Sequence, residues 1–432
     1  MNPESCECTK AELELFTVPP TNVSMEKGNM VECLPISTVG DNKTVEFLVS
    51  SSNDEYIDIG RTFLYVKVKI VNQDKSDLVD DAKCGPVNLF LHSLFSQIDV
   101  QLNGKLISPS INTYPYKAYL ETLLSYGSDA KKSQLGSELW YFDNGNMNEI
   151  NPHLEEGNDG FIARGKMTSK SKSVEMMGRL HCDFFQQDRY LINGVEMKLK
   201  LIRSPEAFHL MADDDKYLTI IEDVSLFVRK VKLNPAIPVA HNKALSQGKT
   251  AKYPIRRGIV STFTIPTGNK SINKDNVVMG QLPRRMIVGL VTNTSVNGDV
   301  KSNPYDFKNF DLNYFALYVD GELYPNKPLD PDFEDDQFLR AYMTLFEGTG
   351  MLNDNKGHGI KRTNYKNGFA LYAFDLTPDM TEGSHIDPIK HGSIKMEIHF
   401  KKALAQTVNV IIYSEYDNLI QIDRARNVIT DF

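Results

Sequence analysis

The sequence predicts an all-β protein made of two similar antiparallel β-sandwiches in tandem, each with a short inserted helix. Three observations predict it. Apolar residues alternate with polar ones in "RTFLYVKVKI" (Arg61 to Ile70), "QIDVQL" (Gln97 to Leu102), "VEMKLKLI" (Val195 to Ile202) and "IKMEIHF" (Ile394 to Phe400), the period of half-buried strands. Asn103-Gly104, Asn193-Gly194 and Asp320-Gly321 supply the positive-φ pairs that tight hairpins need. Helical periodicity is confined to short segments, and two of these fall at equivalent places in the two halves of the chain.

The first helix is expected over Tyr116 to Tyr126. Pro115 suits an opening turn, Tyr116, Tyr119, Leu120, Leu123 and Leu124 make one stripe, and Gly127 is placed for a left-handed cap. A second stripe over Asp336 to Glu347 sets Phe338, Leu339, Tyr342 and Leu345 in the same pattern ahead of Gly348.

These elements recur in one order. Gly104 corresponds to Gly321, and "KAYL" (Lys117 to Leu120) to "RAYM" (Arg340 to Met343). Upstream, the strand from Arg61 corresponds to "RRMIVGLV" from Arg284. Downstream, "NGVEMKLKLI" from Asn193 corresponds to "HGSIKMEIHF" from His391, and one more apolar strand follows each. Collinear recurrence at half the chain length reads as a duplication. The expected organisation is an N-terminal arm over 1–40, a first sandwich over 41–235, a Pro-, Gly- and Ser-rich linker over 236–256, a second sandwich over 257–425 and a tail over 426–432.

Composition agrees with two domains. The 432 residues exceed what one core usually supports, 41% are apolar and 24% charged. The net charge of −8 gives no global reason to expect nucleic-acid binding. "MNPESCECTKAELELF" lacks the basic and apolar regions of a secretory signal, and no run is long enough to span a bilayer. Five scattered cysteines suit reduced thiols.

Catalytic and metal-binding patterns are not found. Nine histidines stand singly, among them His92, His153, His181 and His241, without ligand spacing, so no catalytic, cofactor-binding or metal residue is assigned and no enzyme is expected. "GFIARGKMT" (Gly160 to Thr168) has the G-x-x-x-x-G-K spacing of a phosphate loop, but Met167 stands where Ser or Thr would hold magnesium; it reads as a polar surface loop. One local charge inversion remains. Between Asp223 and Asp275 there is no acid, while Lys249, Lys252, Arg256, Arg257 and other bases fall inside, a candidate contact for a polyanion. The only tryptophan, Trp140 in "SELWYFDNG", would be the platform of a lectin-like or receptor-binding sandwich, the alternative reading.

"VPPTNVSMEKGNMVECLPIS", "GPVNLFLHSLFSQIDVQLNGKLISPSINTYPYKAYLETLLSYG" and "KKSQLGSELWYFD" resemble the major capsid proteins of Polinton/Maverick elements and the related adintoviruses. The likeness runs from about Thr17 to the C-terminus, carried by long segments in the first half and by the order of elements in the second. It implies a double jelly roll, a homotrimeric pseudohexagonal capsomer, an icosahedral virion with neighbouring capsomers and a single jelly-roll penton protein, and packaged double-stranded DNA met without sequence specificity. It implies no cofactor.

Overall fold

The computed structural model describes residues 4–6, 8–36, 43–50, 52, 54–378, 380 and 387–432. In chain order the first half supplies β1 (Met25–Cys33), β2 (Thr44–Val49), β3 (Glu55–Asn72), β4 (Cys84–Pro86), β5 (Phe95–Leu102), β6 (Lys105–Leu106), β7 (Val174–Arg179), β8 (Met197–Arg203), β9 (Leu210–Ala212) and β10 (Tyr217–Leu233). The second half supplies β11 (Ala251–Ile265), β12 (Ser271–Gln281), β13 (Arg285–Thr292), β14 (Leu312–Val319), β15 (Glu322–Leu329), β16 (Leu371–Asp375), β17 (His391–Phe400), β18 (Val408–Ile422) and β19 (Val428–Thr430). The helices are α1 (Phe90–Ser93), α2 (Tyr114–Ser125), α3 (Ser128–Lys132), α4 (Asp159–Thr168), α5 (Glu206–His209), α6 (Ala236–Ser246), α7 (Asn293–Asn297), α8 (Leu339–Glu347) and α9 (Arg362–Tyr365).

The duplication appears as identical strand order. The first half pairs its strands as β1-β10-β3-β7 and β2-β8-β5-β6; the second pairs them as β11-β18-β13-β16 and β12-β17-β14-β15. Substituting each strand by its counterpart turns one half into the other. All these ladders are antiparallel. Two four-stranded sheets in this order make an eight-stranded jelly roll, so the chain holds two. The central strands alternate as the sequence requires: in β3, Leu64, Val66, Val68 and Ile70 are buried, and in β17, Ile394, Met396, Ile398 and Phe400. In both halves the helix expected from the sequence lies in the connection between the fifth and sixth strands of the roll, α2 between β6 and β7 and α8 between β15 and β16.

The turns are as tight as their residues allow. Leu102 pairs with Lys105 and Val319 with Glu322. Asn103 and Gly104 take φ of 46° and 79°, Asp320 and Gly321 take 50° and 84°, so both residues of each turn are left-handed.

Several expectations are corrected. The range 1–40 is not all arm, because Met25–Cys33 forms β1; the 40/41 boundary lies outside the described residues. The range 236–256 holds α6 and the start of β11, and the tail carries β19, which pairs with the end of β18. β1 is largely solvated and lacks the alternation that betrays a strand, while β11 buries Tyr253, Ile255 and Val260 but carries Pro254, which reads as a break; both are edge strands. Pro254 is tolerated in β11 for that reason. Residues 160–168 are not a surface loop but most of α4, whose N-cap Asn158 accepts the Phe161 N–H at 3.3 Å. Its inner face was hard to read because Gly160, Gly165 and Arg164 build it alongside Phe161 and Ile162: a Cβ at Gly165 would stand 2.3 Å from Pro152, and the fully buried Arg164 pairs with Asp143 at 2.8 Å. Gly127 is extended, at φ −74°, because α3 follows α2 directly and no left-handed cap forms.

Candidate functional site at the junction of the two halves

The two rolls meet through a polar junction. Lys117, on α2, donates to Asp183, and Asp183 Oδ1 also accepts the Gly258 N–H of β11 at 3.0 Å. Glu121, one turn along α2, accepts from the Tyr413 hydroxyl of β18 at 3.1 Å and faces Lys117 at 3.9 Å. Lys117 and Asp183 are buried. Burial opposes the charge on Lys117, but Asp183 and Glu121 outweigh it and hold its ammonium above the ordinary lysine value. On the second half's side, Arg285 reaches Glu415 at 3.5 Å and Asp375 at 4.0 Å.

Aromatic stacking and main-chain bonds complete the contact. Tyr119 stacks on Tyr305 with ring centroids 4.1 Å apart, and Phe142 on Phe369 at 4.9 Å. Arg426, beside β19, donates to the Asn193 carbonyl at 2.7 Å and the Asn193 side chain at 2.9 Å, and its own carbonyl accepts from Asn103 at 2.8 Å. The turn Asn103-Gly104 therefore belongs to the junction, while Asp320 Oδ1 accepts the Ser393 N–H at 2.8 Å within the second half.

Between the halves lies a cavity of about 820 Å³, walled by Glu121, Glu138, Arg179 and His181 from the first half and by Arg256, Arg285, Tyr413 and Glu415 from the second. Behind its wall, His181 meets His92, far away in sequence, with ring centroids 4.8 Å apart. No spacing in the sequence signals that meeting, since it depends on α1 and the end of β7 converging.

The acid-free window does not form one patch. Arg229 pairs with Asp58 at 3.4 Å and Lys232 with Asp54 at 3.6 Å, so its upstream bases find acids contributed by other strands. Lys249 and Lys252 are exposed. Arg256 lines the cavity, and Arg257 donates to Asn418 at 2.9 Å while its guanidinium lies over Phe432 and Tyr416. Trp140 is 1% exposed, a core residue packed by Tyr119 and not a surface platform. Among the described residues no helix is long and apolar enough to cross a membrane.

Two consecutive eight-stranded rolls in one chain define the double jelly-roll fold. Comparisons with known proteins agree with it. No family model matches the chain. An uncharacterized protein of Caenorhabditis elegans is 24% identical over 399 residues, covering 89% of this chain and 93% of that protein. A chain of the Sputnik virophage structure superposes with a TM-score of 0.67 at 12% identity, over 99% of this chain and 93% of that one. The mavirus major capsid protein gives 0.55 at 13% identity over 100% and 97%, and the Faustovirus major capsid protein 0.54 at 8% over 94% and 92%.

Proposed function

We propose that this chain is the major subunit of an icosahedral shell, of the kind encoded by Polinton/Maverick elements and adintoviruses, with no catalytic role. The observation that carries the reading is the whole-length duplication: two rolls of identical strand order joined in one chain, alike from end to end to chains of virophage and giant-virus capsids. Three such chains about a threefold axis present six near-equivalent lobes, a block that tiles a surface. The ring closes through heterologous contacts, each expected in the obligate class of roughly 2,000 to 5,000 Å². Neighbouring blocks, a single-roll penton protein at the vertices and packaged double-stranded DNA are the expected partners, the last met through exposed bases such as Lys249 and Lys252. The lectin-like reading loses its one support with Trp140 in the core.

Light scattering of the purified chain tests it. A mass near three times 48.8 kDa that survives dilution is expected, with hexagonal blocks in negative stain. A persistent monomer overturns the proposal.

A further inference from the structure

At the cavity wall and just behind it lies a cluster that building a shell does not require. His92 lies in α1, Glu138 closes the 3-10 turn Gln134–Glu138, and His181 follows β7; all three are buried. One donor atom from each lies within 4.8 Å of the other two.

The hydrogen bond of His181 prepares its free nitrogen as a metal donor. His181 Nδ1 lies 2.7 Å from Glu121 Oε2. A carboxylate there holds the proton on Nδ1 and leaves the Nε2 lone pair available, the outer-shell arrangement that orients metal-binding imidazoles. That Nε2 lies 3.2 Å from the Thr122 hydroxyl. His92 Nδ1 lies 2.8 Å from the Tyr114 hydroxyl, so its Nε2 points at Glu138 Oε2, 3.3 Å away, without hydrogen-bond geometry. Two ligands bound at about 2.0–2.1 Å to a tetrahedral zinc stand about 3.3 Å apart, the spacing His92 and Glu138 already have, while separations of up to 4.8 Å within the cluster must close on binding. Glu138 reaches this position through a recess left by Gly178, where a Cβ would stand 2.3 Å from Oε1.

We propose that His92, His181 and Glu138 bind one zinc-like divalent ion, with a cavity water as fourth ligand, and so tie α1 to the end of β7. Two imidazoles and one carboxylate select a borderline transition ion over magnesium or calcium, which take oxygen sets. Glu138 and His181 both line the cavity, which gives the ion its way in. Glu121 acts as the positioning residue.

The test uses the full chain, stripped with chelator and titrated with Zn²⁺, with Mg²⁺ as the comparison. One Zn²⁺ per chain and a Tm that rises with Zn²⁺ but not Mg²⁺ are expected, and Co²⁺ should give the visible bands of a tetrahedral site. Glu138→Gln with His181→Gln, checked for native circular dichroism, should weaken Zn²⁺ binding at least tenfold, while His399→Gln at the more exposed His399–Glu397 contact should not. Wild-type protein that shows no Co²⁺ bands overturns the proposal without any variant. So does Zn²⁺ binding that the double variant leaves unchanged.

Discussion

Asp183 Oδ1 accepts the backbone N–H of Gly258 at 3.0 Å, so a carboxylate of the first half completes the hydrogen bonding of the second half's edge strand. The same carboxylate is the close partner of buried Lys117. Asp183→Ala leaves that ammonium buried against Glu121 alone, a loss of about 3–5 kcal/mol for a broken buried pair. Asp183→Asn keeps an acceptor for Gly258 and should cost less. Denaturant midpoints check the order; an alanine variant as stable as wild type would show that the junction does not depend on this carboxylate.

Gly104→Val and Gly321→Val should each destabilise the chain by about 1–3 kcal/mol, the scale of one strained backbone position. A Cβ at either site meets nothing within 4 Å, so the cost is conformational and not steric crowding by neighbours. Melting temperatures equal to wild type for both would contradict this.

Acid should loosen the fold through two buried imidazoles. Burial, and then Arg203, push His209 down to about 3, and burial, and then Lys131, push His358 down to about 4. Below about 6.5 the unfolded chain takes up protons that the native chain refuses, so stability falls as pH drops through that window and the loss is complete below the folded values. His209→Gln removes one of the two groups. Its Tm should therefore drop less than that of wild type between pH 7 and pH 4; parallel curves would exclude His209 as a source.

The basic residues near β11 should separate into two behaviours. Replacing exposed Lys249 and Lys252 by Ser is expected to shorten retention on a polyanion column at low salt and leave the Tm unchanged, as counterion release without sequence specificity requires. Arg257→Ser should lower the Tm instead, because it loses the Asn418 bond and the packing over Phe432. Retention unaltered in the lysine variant would remove the polyanion contact.

What the sequence made legible follows from where each strand sits. β3, β8 and β17 each have neighbours on both sides and one buried face along most of their length, and β5 alternates in sequence although Gln97 and Asp99 are also buried, so the duplication could be read from them. β1 is an edge with mostly solvated side chains and passed for arm, and the start of β11, broken by Pro254, passed for linker. The helix α4 buries only Phe161 and Ile162 among its large apolar residues and makes its other inward contacts through glycines and one ion pair, where hydrophobic periodicity has little to register. The junction was invisible for a different reason: Lys117, Asp183 and Gly258, or His92 and His181, become neighbours only when distant segments are brought together, and no local spacing encodes that.

The junction also shows what joining the rolls through α6 accomplishes. A contact between separate molecules must bury enough surface to overcome dilution, and one holding paired charges and a cavity of about 820 Å³ is poorly suited to that. Tethering turns the encounter into an intramolecular one, at an effective concentration on the order of millimolar for a short connection. The interface is thereby released from the need to be dry and tight. The same two halves supplied as separate polypeptides, with every contact intact, would be expected to part on dilution.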